Sequence, residues 1–488
     1  MTKKSVPASA ESEYIIRDAL VVTMDDQRNV YESGFVWVRG ANFHRVGDTS
    51  QLGAVPANVP IKSARGRLLM PGLVNGHGHL SNGILRGIYD EMPLSVWFSK
   101  GMWPVLEALD AEIGAASAEL ALLELMTTGV TTSVSAEFGI PRQDLPDGVL
   151  SAVQKSRVRA VLSRMTVDTP DESDPSQTVP REYREPVATA ISEVERLQRQ
   201  YGSDRITVAP EALGILRCTR EMVEGLHDLA VRSNSPFLMH IASSKDEHDS
   251  SHRRYGHGSV TELKQRGALS SRTLLAHAIW LSDSEIQDLA EAQTGVSHNP
   301  VSNAYYASGI ARLDDLLAAG VRVGLGVDGA STNNGQNLWE TMKMALLFQK
   351  ERLGDATFGC AELALEMATR GGAAALHMED KIGSLEPGKL ADFISIDTAR
   401  VNLMPRQTLI SNLVYSNDPQ AVRDVYIAGE PVVVDGTHQF LSRDAVLERA
   451  TDALEHVLER AGLKKYLLER TRWRWHRQQG ISNKGGPS

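Results

Sequence analysis

The first residues of this chain that could do chemistry are two imidazoles, two residues apart, in the segment Asn75-Gly-His-Gly-His79. Alternate side chains of extended backbone share a face, so His77 and His79 point the same way and can bind one metal ion. Gly76 and Gly78 let the backbone come close to it. The alternative for this segment is a pair of solvated loop histidines. A similar pattern, an apolar run ending in an ionisable group, then recurs. Glu211 follows "RITVAP", His240 follows "PFLM", His277 follows "TLLA", His298 follows "TGVS" and Asp328 follows "VRVGLGV". Five of the fourteen histidines fall at or just past the ends of such runs, which scattered surface histidines would not do. Histidines and a carboxylate converging on one point, with a position left for water, are what metal-dependent hydrolysis requires. A carboxylate closing the apolar run at Asp328 is costly unless paired or liganded. Taken alone, His240 reads equally well as a satisfied buried histidine; the paired histidines earlier in the chain favour a metal arm.

These groups need a scaffold that gathers strand ends. Eight short β runs follow Pro71, at 72–77, 129–135, 158–164, 205–211, 236–242, 273–278, 294–300 and 321–328. Helical stretches separate most of them, and several end in Gly or Asn, where a helix C-cap belongs. Count and order predict an α/β fold, a parallel (β/α)8 barrel over 71–380, whose C-terminal strand ends form the mouth. An open doubly wound sheet fits the same pattern. Residues 13–70 and 381–440 each read as short β runs without a long helical period, and they are expected to join into one β-sandwich beside the barrel. Residues 1–12 are small and polar and are expected to be disordered; residues 441–488 read as a helix followed by a basic, aromatic tail.

The bulk composition excludes several classes. A formal net charge of −10 argues against nucleic-acid and anionic-membrane partners. The tail "RTRWRWHRQQ" therefore reads as a docked or subunit-contacting segment. Two cysteines, Cys218 and Cys360, suit neither a disulfide framework nor a thiolate metal site. The N-terminus has no apolar core of a signal peptide, and no uncharged apolar run approaches the ~18 residues of a membrane span. A cytoplasmic enzyme acting on a small molecule is the expectation. The glycines of "GLGVDG" (324–329) match a dinucleotide fingerprint, but they end a strand instead of opening a helix.

"MPGLVNGHGHL", "LRGIYDEMPLSVWF", "MTTGVTTS", "LLAHAIWLSDSEI", "VSHNPVSN", "LGVDGASTNNGQNLWETMKMALLFQK" and "GSLEPGKLADF" resemble the amidohydrolase superfamily. The branch is the one holding triazine chlorohydrolases, S-adenosylhomocysteine/methylthioadenosine deaminases and guanine or cytosine deaminases. The resemblance spans about residues 14–437. It implies a distorted (β/α)8 barrel with a small β-sandwich made by both chain ends, and one divalent ion per subunit, zinc or alternatively iron. The implied metal ligands are His77, His79, His240 and Asp328. Asp328 would also take the proton of the attacking water, and His277 would contact that water or the substrate. Trp97, Glu137, Ser243 and Asn303 are the expected substrate contacts. "RITVAPE" lacks the lysine that binuclear branches carboxylate, in agreement with a single metal. A homo-oligomer, dimer or larger, is the family tendency.

The chain departs from its relatives where protons move. They read H-x-A-E-T after the fifth strand, and this chain reads His240-Ile-Ala-Ser243-Ser. A neutral serine is a poor donor, and Asp246 and Glu247 further along read as solvated charges. Glu211 stands where relatives carry a histidine and is expected to reach into the pocket, as the substitute acid/base, as a reader of a cationic or N–H-bearing group, or as a structural partner. Ser133, Ser135 and Glu137 are expected to change the pocket's polarity. The reaction expected is hydrolysis of a C–N bond, by deamination or of amide type, in a small N-heterocyclic or related compound. Displacement of chloride or thiolate from such a ring is the near alternative, since these groups leave with less protonation. A metal-dependent decarboxylase, a non-catalytic metal binder and a nucleic-acid-associated protein are the more distant rivals.

Overall fold

The eight runs become eight parallel strands in the computed structural model, which describes residues 13–92, 94–140, 142–169, 179–416 and 418–464. They are β1 Leu73–Asn75, β2 Val130–Phe138, β3 Arg159–Thr166 and β4 Ile206–Ala212. Then follow β5 Phe237–Ile241, β6 Thr273–His277, β7 Gly295–His298 and β8 Arg322–Leu325. Each strand pairs with its sequence neighbours, so the sheet runs β1 to β8 in order. Its two edges then meet. Gly76 N donates to Leu325 O at 2.8 Å, Asp328 N to His77 O at 3.0 Å, and Val327 N to the Asn75 side chain at 2.9 Å. A further parallel pair, Gly78–His79 against Asp328–Gly329, completes the seam. This closure decides for a barrel over an open sheet. The seam is tight: a Cβ on Gly326 would sit 2.4 Å from Asn299 Oδ1 and 2.9 Å from His77 N, so only glycine fits there.

Alternation along the strands sorts the side chains. Val74, Val134, Val161, Ala209, Leu238 and Leu274 form an apolar plug low in the barrel, sealed by Ala373, Leu376 and Ile382. Burying each Val or Leu contributes about 1.5–3 kcal/mol. The helices pack outside. The helix Arg220–Ser233 is typical: the Thr219 hydroxyl caps its start, Asn234 ends it in the left-handed region, and Met222, Val223, Leu226 and Leu229 are buried.

Both chain ends enter one continuous nine-stranded sheet, which is how the expected sandwich of the two ends is built. Its junction is the antiparallel pair of Arg67–Pro71 with Phe393–Asp397, and the first of these strands runs almost directly into β1. A buried ion pair ties this sheet to the barrel, Arg159 Nε of β3 lying 2.7 Å from Asp392 Oδ2. Asp392 Oδ1 also accepts from Arg159 Nη2 at 3.1 Å and from Ala428 N at 2.6 Å. The late helix spans Arg443–Arg460, and Arg460 bonds Asp110 at 2.8 Å. The expectations for residues 1–12 and for the basic tail beyond 464 lie outside the described residues. Among the described residues no helix is long and apolar enough to cross a membrane.

Replacing Asp392 by Ala leaves the Arg159 charge buried without its partner, an expected loss of about 3–5 kcal/mol in urea unfolding. The double variant Arg159→Met/Asp392→Leu should recover most of it. A single variant as stable as the parent would show that the pair contributes nothing to the clamp.

Candidate active site

The seam and the ends of β5 and β6 place five ionisable groups together. Ring centroids of His77 lie 4.9 Å from His79, 4.7 Å from His240 and 5.5 Å from His277. Asp328 Oδ1 is 3.6 Å from His77 Nε2 and 3.4 Å from His79 Nε2, while Oδ2 is 3.8 Å from His277 Nε2. Donor atoms of His77, His79 and Asp328 fall within 4.8 Å of one another, and so do those of His77, His240 and His277. The turn that aims them is conformationally costly. Asp328 has φ +62° and His277 φ +76°, the left-handed region, where a non-glycine residue costs of order 1–3 kcal/mol.

Hydrogen bonds select which nitrogen faces the centre. His79 Nδ1 lies 2.6 Å from Ala136 O, so its proton sits there and Nε2 turns inward. His277 Nδ1 lies 2.8 Å from Asn303 Oδ1, which likewise leaves Nε2 toward Asp328. His77 Nε2 is buried with no hydrogen-bond partner among the described residues. Burial and the neighbouring imidazoles hold His77 and His240 well below the ordinary histidine range, so their lone pairs are available. Burial opposes the Asp328 charge, but the His79 bond and the surrounding imidazoles outweigh it and hold the carboxyl well below its usual range. Burial likewise opposes a charge on His79, yet Asp328 and Glu137 bring it up to about 9. The neutral imidazoles of His77 and His240 beside the ionised Asp328 are donors that suit a divalent cation, and His79 joins them once its proton is displaced.

A cavity opens above this cluster. Trp97, Phe98, Phe138, Met165, Leu213 and Tyr306 make apolar wall, and His79, His240, His277, Ser302, Asn303 and Asp328 make polar floor. Ser243, Ser244 and Glu247 line one side, and the Arg217 guanidinium, 4.8 Å from the Phe98 ring centre, lines another. Of the expected substrate contacts, Trp97, Ser243 and Asn303 therefore line the cavity.

Three carboxylates stand elsewhere than their sequence reading. Glu211 was expected in the cavity; it is 1% exposed and does not line it. The β4–β5 register sets Glu211 level with Leu238, one inward-facing layer below His240. From there Oε1 lies 3.0 Å from His240 Nδ1, a short contact poorly aligned as a hydrogen bond, and Oε2 accepts from the Ser163 hydroxyl. Burial, partly offset by Ser163, pushes its carboxyl up to about 7. Glu137 was expected to contact substrate. Ala136 and Phe138 of β2 face the cavity, so Ser135 and Glu137 face away from it, as the two-residue period demands. Glu137 Oε1 accepts from Leu80 N at 2.8 Å and from the Ser135 hydroxyl, bracing the turn that follows His79. Glu247 is not the solvated charge that its sequence surroundings suggest. Ser244 instead caps the helix Lys245–Tyr255, with Glu247 at the third position folding back onto the strand end, while Asp246 stays exposed. The pattern Ser-x-x-Glu was the signal for that fold-back. His298 is buried outside the cavity wall and pushed down to about 4 by burial.

Comparison with known proteins places this arrangement. The amidohydrolase family model matches residues 68–432. The 5-methylthioadenosine/S-adenosylhomocysteine deaminase of Bacillus cytotoxicus is 32% identical over 437 residues, 88% of this chain and 96% of that protein. The enzyme of the same description from Bacillus cereus is 33% identical over 439 residues, covering 89% and 97%. An adenosine deaminase from Xanthomonas campestris with bound zinc superposes with a TM-score of 0.83 at 27% identity, covering 92% of this chain and 99% of that one. The atrazine chlorohydrolase of Arthrobacter aurescens complexed with zinc shares the fold, with a TM-score of 0.83 at 22% identity over 90% of this chain and all of that one.

Glu211→Gln replaces the carboxyl behind His240 by an amide of the same shape. Retention of a divalent ion should weaken about 10–100-fold in a chelator competition. Unchanged affinity would show that Glu211 has no part in holding His240.

Proposed function

The chain belongs to the amidohydrolase family, and we propose that it deaminates, or otherwise hydrolyses at a C–N bond, a small N-heterocyclic compound, using a divalent metal held by His77, His79, His240 and Asp328. The observation that carries this reading is the convergence of those donors, with His277, on the floor of an otherwise largely apolar cavity. Relatives at 32–33% identity over nearly the whole chain are deaminases, which supports loss of an amino group as the reaction. Three histidines and one carboxylate suit zinc, one ion per subunit, and iron fits the same donors.

The bound ion supplies Lewis acidity, lowering the pKa of its water from about 16 toward 7. The remaining work falls to side chains. Asp328 is buried and ionised, so it can take a proton from the attacking water and return it to the departing group. His277, its Nδ1–H fixed on Asn303, presents Nε2 to orient the nucleophile or to meet developing charge. Glu211 acts from behind, on His240, and does not exchange protons with substrate. Trp97, Phe98 and Phe138 hold a flat ring against the floor and exclude water from it. Displacement of chloride or thiolate is the second reading, favoured by one observation: Ser243 stands in the cavity lining where a donor acid would help a poor leaving group, and the neighbouring Glu247 carboxylate is occupied by hydrogen bonds to Ala242 N, Ser243 and Ser259.

The same reading takes the protein as cytoplasmic and homo-oligomeric, dimer or larger, without nucleic-acid or membrane partners, in keeping with its net charge of −10. It divides the chain into a barrel over 71–380 and sheet portions over 13–70 and 381–440.

Purified protein should contain close to one divalent ion per chain by elemental analysis. His240→Ala and Asp328→Ala should each lose most of that metal and at least about a hundredfold in turnover. A panel of aminated, chlorinated and amide-bearing heterocycles, with product masses recorded, should show an amino group replaced by hydroxyl. Release of CO₂ from a carboxylated ring, or full activity without metal, would sink the reading.

A further inference from the structure

The wall beside His240 carries a hydroxyl whose polarity is fixed by its neighbours. Glu247 Oε1 accepts from Ala242 N at 2.7 Å and from the Ser259 hydroxyl at 3.3 Å. Its Oε2 accepts from Ser243 N at 2.8 Å and from Ser243 Oγ at 2.7 Å. A carboxylate has about four lone-pair sites, and here four donors occupy them. Among the described residues every hydrogen-bond partner of Glu247 is a donor, so the one proton of the Ser243 hydroxyl points at Glu247. A serine hydroxyl has a single donor and two acceptor positions. Among the described residues no donor is seen on Ser243 Oγ, and Ser243, three positions past His240, lines the cavity. Its lone pairs are what it offers to a ligand.

We propose that Ser243, oriented by Glu247, is a fixed hydrogen-bond acceptor that selects substrates carrying an N–H beside the reacting carbon, such as the lactam N–H of an amino-substituted ring. This rests on the function proposed above and sharpens its substrate class. A heterocycle presenting a bare ring nitrogen or an N-methyl at that place leaves the lone pairs of Ser243 without a partner in a closed site. Sites built around such a bond reject analogues that lack the donor. Glu247 is here a positioning residue; it has no lone pair left for the ligand.

The test uses metal-loaded full-length enzyme and two matched probe pairs: 2-aminopyrimidin-4-one and 2-amino-6-oxopurine, each with its ring N–H free or methylated. The parent enzyme should prefer the N–H member by about ten- to a hundredfold in kcat/KM. Ser243→Ala should lower the N–H member to the level of the N-methyl one, and Ser243→Thr, which keeps the hydroxyl, should preserve the preference. Glu247→Gln, which puts an amide N–H where the carboxylate accepts, should shrink it. Equal turnover of both members by the parent, or a preference unchanged in Ser243→Ala, overturns the proposal. So does a rise of the N-methyl member in Ser243→Ala, because that marks exclusion by size. If the metal-loaded enzyme turns over neither pair and none of the wider panel, the proposed function itself has failed, and this inference with it.

Discussion

A buried carboxylate among three imidazoles is the constraint around which this molecule is organised. Asp328 is 3% exposed, and an ionised group so placed is tolerated only where opposite charge or donors surround it. The Ser302 hydroxyl and Gly329 N supply donors, and the imidazoles of His77, His79 and His277 supply the rest. Those imidazoles arrive from β1 and β6, so the site exists only if the first and eighth strands meet. The barrel's closure and its chemistry are therefore one event, made by Gly76, Gly326 and the short pair Gly78–His79 with Asp328–Gly329.

The seam is a poor ladder, and it is held from elsewhere. Left-handed backbone at His277 and Asp328 is unfavourable, and the few bonds between β1 and β8 offset little of it. The apolar plug of Val74, Val134, Val161, Leu238 and Leu274 sits directly beneath and fixes where the strands can go. On the far side Arg67–Pro71 is locked between strands from both chain ends, which sets the direction in which the chain enters Asn75-Gly-His-Gly-His79. Strain at the mouth is carried by packing at the base and by the terminal sheet.

How much of this was legible in the sequence follows from what each element depends on. All eight strands were legible, because period and turn residues are local. His77, His79, His240, His277 and Asp328 were legible as a cluster, because strand ends share one rim in a barrel. Depth was not. Whether Glu211 reaches the cavity depends on the stagger between β4 and β5, a property of pairing that no single segment encodes. Glu137 could have been placed by counting alternate residues from Phe138, had the facing of β2 been known. Glu247 was missed for a different reason. Its charge suggested solvent, while the capping pattern with Ser244 predicted that it folds back, and the local backbone signal prevailed over composition.

The three displaced carboxylates share a consequence for the chemistry. Glu137 braces the turn after His79, Glu211 stands against Ser163 and His240, and the acceptor sites of Glu247 are filled by four donors. Under the proposed function Asp328 and His277, whose facing atoms are 3.8 Å apart, are the groups on the cavity floor that move protons. A proton taken from the attacking water must return to the leaving group from the same side of the ring. Enzymes with an independent acid on the opposite wall can protonate a ring nitrogen there first. Under the proposed Ser243 contact, the ring donates an N–H to the side of the cavity that Ser243 lines. The proposed acceptor at Ser243 and the serine standing where relatives read glutamate thus describe one requirement, a substrate that donates an N–H to that part of the cavity.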